Sequence, residues 1–291
     1  MYSDALINEH REWTEKAIIL LRELLPLMTP VALYEQWTKE EQQTLGMLLT
    51  ASARSSESTL LLASYGQLWD AEVTLRSVSE ASLKFCYMLQ HQDYFKSRHL
   101  EYSNDQFWAG VLKDEQKIRD LLKVLHNPND PRWRPFTDRL VSEEEREKIK
   151  SKFEYKNQRA LDSRWGFTGI IREFQRNDDP LLKNLIGLAH GYSVASHIQH
   201  ADYQGISIPM DRDARSTERK AAVHSVHLAR LISDTLQFFI IRLIGGYRFV
   251  NHPATNIAHA QEKISTLFKT FGNSYDNWIN IEYLGDTGSP A

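Results

Sequence analysis

Four side chains that could act in acid–base or metal chemistry share one face of the segment 180–205. They recur at i, i+3, i+7 and i+10, and they are His190, Ser193, His197 and His200. An adjacent stripe of the same segment consists of Tyr192, Ser196, Gln199 and Tyr203. A solvated helix face would carry Lys and Glu, and an ordinary core face would be apolar, so neither describes this segment. The pattern predicts either close packing with many hydrogen bonds or the lining of a pocket.

A second candidate face lies in the segment 61–89, where charged side chains follow one another at steps of four residues. The members of this ladder are Glu72, Arg76, Glu80 and Lys84. Alternating charges at this spacing form ion pairs along a solvated helix, which is their ordinary role. The residues alone therefore favour a solvated ladder and leave a functional role for Arg76 and Glu80 open.

Metal binding is one chemistry that the histidine-rich face allows. Its three histidines, with Glu80 or Asp202 nearby, offer ligands of the kinds that zinc and iron accept. Their spacing lets at most two imidazoles share one ion unless another helix supplies further ligands. The sequence also lacks H-E-x-x-H and the paired Glu-x-x-His of di-iron bundles. We assign no metal site and no cofactor, and we keep a small-molecule or metal-binding pocket as an alternative.

Other catalytic signatures are absent from the sequence. It contains neither a phosphate-binding glycine loop nor a G-x-S-x-G nucleophile elbow. Cys86 is the only cysteine, and it follows Phe85 in an apolar stripe, where a thiol is ordinarily inert packing. A single cysteine excludes an internal disulfide and favours a reducing compartment.

Charge and hydropathy point to the cytoplasm. The formal net charge of −3 excludes a generally basic nucleic-acid coat but allows a local basic patch. The first residues, MYSDALINEHREW, carry charges where a signal peptide would need an apolar run. The most apolar stretch, 221–246, contains Arg230, Asp234 and Arg242, which are too many charges for a membrane-spanning helix. We therefore expect a cytoplasmic protein without a membrane segment.

Helical periodicity dominates the chain, and glycines and prolines fall at breaks between the periodic stretches. The pattern predicts an all-α fold, a multi-helix bundle that forms a single domain over 1–270. A charged insertion or linker is expected at about 127–160, with Ser142 and Glu145 as a capping box, and a partly disordered tail at 271–291. Two lobes divided at the insertion are the alternative. The main predicted helices span 3–25, 40–65, 67–90, 165–176, 180–203, 212–245 and 255–270. The stretch 92–126 is expected to form one helix, or two divided near Ser103–Asn104, and a highly charged helix is expected to begin at 142.

Two groups of residues together carry a resemblance to a known family. The first group follows a helix break at Tyr65–Gly66 and comprises Ala71, Leu75, Arg76, Ser77 and Glu80. The second group comprises Trp165, Tyr192, Ser193, Ser196, His197 and His200. Over roughly 45–205 the chain resembles a family of uncharacterised bacterial all-helical proteins, discussed as distant relatives of the HEPN domains of toxins and phage-defence systems. The resemblance implies a HEPN-like core with additional N- and C-terminal helices. It also implies that the helix of Arg76 faces the helix of His197, and that the protein forms a homodimer.

HEPN ribonucleases generally carry an Arg-x(4–6)-His motif whose two side chains meet across a dimer. The sequence contains two matches, Arg119 with His126 and Arg219 with His224. Chance gives about as many matches in a chain with this many arginines and histidines, so neither match is assigned. A HEPN relative with this sequence would have lost or replaced the usual catalytic motif.

The leading hypothesis from the sequence is a HEPN-like helical effector, a metal-independent ribonuclease acting in phage defence or as a toxin. His197 would be the general base or acid, Arg76 would stabilise phosphate charge, and Glu80 would orient Arg76. The expected partners are RNA, a second copy of the chain, and a partner protein of the defence or toxin system. The RNA substrate of this ribonuclease would be positioned by Tyr192, Ser193, Ser196, His200 and Trp165.

The alternative hypothesis is a non-catalytic binding or oligomerisation module, held by a structural hydrogen-bond network.

Overall fold

The computed structural model describes residues 3–152 and 155–284 of the chain. Within these ranges it consists of helices and their connections, without any β-strand, which confirms the predicted all-α multi-helix bundle. The α-helices are α1 (Asp4–Leu24), α2 (Thr29–Ala32), α3 (Lys39–Ser64), α4 (Leu68–Met88), α5 (Gln92–Leu100), α6 (Gln106–Val124), α7 (Arg134–Thr137), α8 (Glu143–Lys152), α9 (Tyr155–Trp165), α10 (Phe167–Arg176), α11 (Ala189–His200), α12 (Tyr203–Ala214), α13 (Thr217–Val250), α14 (Thr255–Lys269) and α15 (Ser274–Ile279). Short 3-10 turns occupy Leu25–Met28, Pro131–Trp133 and Lys183–Leu188, and π-helical turns occupy Glu101–Asp105 and Asn280–Leu284.

The central element of the bundle is α13, which runs for 34 residues and packs against α1, α3, α4 and α14. Leu228, Leu231 and Phe239 are fully buried along it, as expected for a helix that is apolar on several sides. Gly246 lets α2 approach closely, because a Cβ at that position would lie 2.8 Å from Cγ2 of Val31. The main apolar cluster draws on helices before and after the charged segment 127–160, so both parts of the chain share one core.

Charged side chains also lie within the buried length of α13. The guanidinium of Arg242 donates to Oγ of Ser82 on α4, and burial lowers the pKa of Arg242 to about 10. Buried charges of this kind are incompatible with a lipid-facing helix. None of the described helices combines the length and the apolarity needed to cross a membrane.

The α3–α4 hairpin sets the direction of the predicted charged ladder. Thr38 and Glu41 form a capping box that starts α3, with hydrogen bonds of 2.9 and 3.3 Å. Gly66 has a φ of 76°, a conformation that glycine adopts without strain, and it reverses the chain between the two helices. The apolar stripe predicted for α4 is buried, and α4 therefore turns Arg76 and Glu80 towards α11.

In its described part, the charged segment 127–160 forms the turn Pro131–Trp133, the helices α7 and α8, and the first residues of α9. Ser142 and Glu145 cap α8 as the sequence predicts, with Glu145 N donating to Ser142 Oγ at 3.2 Å and Ser142 N donating to the Glu145 carboxylate at 3.1 Å. The predicted tail also begins with structure, because α15 and the π-helical turn pack against α13. Its remaining part, 285–291, lies outside the described residues.

The predicted helix 180–203 is shorter in the structure. A 3-10 turn precedes α11, which begins at Ala189, and Ala201 ends α11 in a left-handed conformation. The separate helix α12 was not predicted, because Gly205 and Pro209 lie within it and are usually helix-breaking signals. Asp202 starts α12 by accepting a hydrogen bond from Gly205 N. The α11–α12 corner is therefore a close helix pair.

Candidate functional site

A hydrogen-bond network joins α4 to α11, and it contains four of the residues singled out from the sequence. Tyr192 Oη donates to Glu80 Oε1 at 2.7 Å and accepts from Arg76 Nη2 at 2.9 Å. Arg76 also pairs with Glu80 at 3.2 Å and donates to the side-chain oxygen of Gln199. The structure thus brings Arg76, Glu80, Tyr192 and Gln199 together.

Aromatic contacts fix the ring of Tyr192 within this network. The ring stacks on Phe167 with centroids 3.8 Å apart, and the Arg76 guanidinium carbon lies 4.6 Å from the ring centroid. Burial, followed by the hydrogen bond to Glu80, raises the pKa of Tyr192. The phenol is therefore protonated at neutral pH and acts as a donor to Glu80. No sequence pattern had indicated Phe167.

His197 lies apart from this network. Its Nδ1 is 2.6 Å from Oδ2 of Asp202, at the α11–α12 corner. Five residues separate His197 from Tyr192, which places the two side chains about 140° apart around α11. The hydrogen bond from His197 lowers the pKa of Asp202, so the pair consists of a carboxylate and an imidazole oriented by it. His197 and Arg76 therefore do not share one site within a single copy of the chain.

The other predicted site residues have different surroundings. Ser193 and His200 are exposed on α11, and Ser196 is half-buried. Trp165 is only 2% exposed, and its indole donates to Glu101 Oε2 at 2.8 Å within the core. The ring also contacts Tyr87 and Tyr102, so Trp165 packs the bundle and is not accessible to a substrate. The described residues contain no cluster of three or more potential metal ligands.

A cleft of about 1060 Å³ lies between α4, α11, α12 and α13, and α15 with the following turn forms one wall of it. This size is at the upper end for pockets that hold small ligands. His190 is at its edge. Its guanidinium groups belong to Arg76, Arg212, Arg215 and Arg230. Its aromatic rings include Trp69, Tyr192, Phe238, Tyr275, Trp278 and Tyr283.

A buried polar network forms the floor of this cleft. Glu72 accepts from His227 Nε2 at 2.5 Å and from the guanidinium of Arg230. His227 Nδ1 lies 2.6 Å from Arg212 Nη1, and Arg212 stacks over the Trp69 ring at 4.2 Å. Since arginine can only donate, Nδ1 is the acceptor and the proton of the neutral imidazole is on Nε2. The chain of contacts therefore runs from Glu72 through His227 to a guanidinium at the cleft surface.

The protonation of the buried histidines agrees with this assignment. Burial, followed by the charge of Arg212, lowers the pKa of His227 to about 3. Burial likewise lowers the pKa of His224 to about 3 and that of His10 to about 4, and these two rings stack with centroids 5.2 Å apart. All three imidazoles are neutral at physiological pH, so the cations at the cleft are its arginines.

The floor of the cleft was not predicted from the sequence. Glu72 is only 3% exposed, although its spacing is that of a solvated ladder. Arg230 was considered only as a charge within 221–246, a stretch that also contains His227. The spacing of His227 and Arg230, three residues apart in an otherwise apolar helix, could have indicated a buried polar site, because buried polar groups need hydrogen-bond partners. The spacing does not indicate which residues those partners are.

Comparisons with known proteins identify a family but no activity. The family model that matches is described as a family of unknown function, DUF5677, and it matches residues 42–216. No curated protein and no solved structure matches the chain. The matched range includes α4, α11 and α12, which bear the Arg76 network and Arg212. Helices α13 and α15, which complete the cleft, follow it in the chain.

Proposed function

This chain belongs to the family of unknown function DUF5677, and we propose that it binds single-stranded RNA through nucleotide units held in the cleft. The observation that carries the proposal is the guanidinium of Arg212, which is stacked on Trp69 and held by neutral His227 at the base of an arginine- and aromatic-lined cleft. Guanidinium groups recognise phosphate, and exposed aromatic rings stack on bases.

The shape of the cleft supports a nucleotide unit as its occupant. Tyr275 and Tyr283 are each more than half exposed and border the cleft, so their rings are accessible to a base. Arg212 lines the cleft, where a phosphate would meet a guanidinium that is held in place by Trp69 and His227. Stacking tolerates any base, whereas the arginines require an anion, and this combination is typical of proteins that bind single strands.

Direct binding measurements test this proposal. A fluorescently labelled single-stranded RNA of about ten nucleotides should bind the purified protein, and its affinity should fall as salt rises. Arg212→Gln should weaken binding about tenfold and make the salt dependence shallower, because one phosphate contact is lost. Tyr275→Leu should also weaken binding, without changing the salt dependence. Equal affinity for wild type and both variants would exclude the cleft as the RNA site.

Matched controls separate the cleft from general surface charge. Arg22→Gln removes an exposed arginine of α1 that pairs with Glu57, so it changes the net charge as Arg212→Gln does, outside the cleft. Its RNA affinity should remain within about twofold of wild type. Mononucleotides serve as competitors, because displacement by them shows that single units enter the cleft. Competition by double-stranded RNA instead of mononucleotides would contradict the proposed ligand.

RNA cleavage is a second candidate function, and the pairing of His197 with Asp202 favours it. A carboxylate 2.6 Å from Nδ1 orients an imidazole for proton transfer, and this imidazole is 33% exposed. In this proposal the protein is a HEPN-like cytoplasmic effector of a toxin or phage-defence system. Because Arg76 and His197 lie apart within one copy of the chain, a second copy would supply the Arg76 that acts with His197. The partner protein of the effector would belong to the same toxin or phage-defence system.

Induced expression in bacteria tests the cleavage proposal. Wild type should slow growth and degrade RNA, and His197→Ala should abolish both effects while retaining RNA binding in vitro. Chelation of metal ions should leave cleavage unchanged, since the described residues offer no metal-ligand cluster. Intact RNA and normal growth on expression of the wild type, together with no cleavage of bound RNA in vitro, would count against a nuclease and leave the binding function.

A further inference from the structure

A carboxylate from the C-terminal segment pairs with two arginines at the rim of the cleft. Glu282 accepts from Arg215 Nη1 at 3.0 Å and from Arg219 Nη2 at 2.8 Å. The two arginines are four residues apart, on either side of the start of α13, and Arg215 is one of the residues that line the cleft. The Glu282 side chain is only 6% exposed, so its carboxylate is buried in this contact.

The charges at this contact are those of an anion site. The hydrogen bond from Arg219 is the main cause that lowers the pKa of Glu282, which is therefore ionised at neutral pH. Arg215 also pairs with Asp211 at 3.0 Å. Two planar guanidinium groups converging on one pair of oxygens reproduce the geometry with which proteins hold phosphate. A phosphate group, with more charge and three acceptor oxygens, would satisfy the same donors.

The segment that carries Glu282 is suited to be displaced. It comprises α15 and the turn Asn280–Leu284, and we call it the C-terminal strap. Trp278 contacts the rings of Tyr275 and Tyr283, so the strap carries its own aromatic cluster at the cleft wall. Movement of Glu282 would remove its carboxylate from the rim arginines, and no described residue of the strap belongs to the main apolar core.

We propose that Arg215 and Arg219 form a phosphate subsite for the RNA backbone, and that Glu282 occupies this subsite in the absence of ligand. The inference rests on the proposed function, since it assigns a second phosphate of the same bound strand to the rim. Glu282 then acts as a competing anion that the phosphate must replace. Affinity for RNA is consequently set by the strap as well as by the cleft.

The experiment compares wild type with Glu282→Gln by titration calorimetry, using inorganic pyrophosphate and single-stranded RNA as separate probes. Removal of the competing charge should tighten the binding of both probes about tenfold. Arg219→Gln combined with Glu282→Gln should cancel the gain, because the subsite then lacks a guanidinium. Glu262→Gln on α14 removes an exposed carboxylate and should leave both affinities unchanged. Circular dichroism of each variant verifies that the fold is retained.

Each outcome distinguishes the subsite from the proposed function. Unchanged or weaker binding of both probes to Glu282→Gln overturns the subsite, even when wild type binds RNA well. Tighter pyrophosphate binding without RNA binding supports the subsite and removes RNA as its ligand. Should Glu282→Gln lose the fold, Glu282→Asp provides the test, because its shorter side chain keeps the charge but reaches the arginines less well. It should raise affinity by a smaller factor, and no gain overturns the proposal.

Discussion

Arg212 and His227 are joined by a hydrogen bond of 2.6 Å in which the guanidinium donates to Nδ1 of the imidazole. A protonated ring would have no acceptor at that position, so the contact requires neutral His227. Glu72 holds the opposite ring nitrogen at 2.5 Å. The imidazole is hydrogen-bonded to both side chains and therefore holds Arg212 in a fixed position relative to the buried Glu72 carboxylate. Its role is positioning rather than proton transfer.

His227→Leu removes this connection while filling much of the same volume. The free energy of unfolding should fall by about 1–3 kcal/mol, because the buried Glu72 carboxylate loses one of its two partners. RNA affinity should fall about tenfold, since Arg212 loses the acceptor that fixes its position. Urea unfolding and fluorescence anisotropy measure the two effects. His259→Leu, at an exposed position on α14, is the control, and unaltered RNA affinity in His227→Leu would show that Arg212 is positioned by other contacts.

Gly205 and Gly46 should respond in opposite ways to replacement by alanine. A Cβ at Gly205 would overlap the backbone carbonyl of His197, so Gly205→Ala should lower the free energy of unfolding by about 1–3 kcal/mol. Gly46 lies within α3 and has open space at the Cβ position, so Gly46→Ala should raise it by about 0.5–1 kcal/mol. Urea unfolding of both variants measures the difference. A neutral Gly205→Ala would mean that α12 can move away from α11.

Local patterns predicted the parts of this fold that depend on near neighbours. The turn at Gly66 and the cap formed by Ser142 and Glu145 follow from a few adjacent residues, and both are present in the structure. The apolar stripe of α4 is also where periodicity placed it. Such features need no knowledge of the tertiary fold, because helix propensity, capping and hydrophobic period act over one or two turns.

The cleft could not be predicted in the same way, because its contacts join distant parts of the chain. Glu72 and His227 are 155 positions apart, and only the packing of α4 on α13 brings them together. The polar composition of α11 was visible in the sequence, but its contacts with Arg76 and Glu80 depend on how α11 packs against α4. Sequence spacing fixes which residues share a face, whereas the partner of that face is decided by packing.

Three buried histidines connect the stability of the protein to pH. Burial is the main cause that lowers the pKa from 6.5 to about 4 for His10 and to about 3 for His224 and His227. Between those values the unfolded chain binds protons that the folded chain does not. Stability is therefore complete above about pH 6.5 and falls as the pH drops towards 4 and 3. Urea unfolding across this range should show the decline, with each histidine adding at most about 1.4 kcal/mol per pH unit.

A variant isolates the histidine contribution from that of the carboxylates, which also titrate at low pH. His10→Gln keeps a side chain able to bond Ser225 Oγ but cannot take up a proton, so its stability should fall less steeply below pH 6.5. His91→Gln, at an exposed position, should retain the slope of the wild type. Parallel curves for wild type and His10→Gln would show that His10 titrates normally in the folded protein.

Tyr192→Phe and His197→Ala distinguish a structural role of α11 from a catalytic one. The phenol of Tyr192 bridges Arg76 and Glu80, so its removal should lower the free energy of unfolding by about 1 kcal/mol. His197 contacts Oδ2 of Asp202, whose Oδ1 still caps α12 without it, so His197→Ala should change the free energy of unfolding by less than about 0.5 kcal/mol. Chemical unfolding and an RNA cleavage assay, performed on the same samples, test both expectations. Comparable destabilisation by the two variants, with RNA cleavage unaffected, would make the polar face of α11 a structural network and exclude His197 as a catalytic residue.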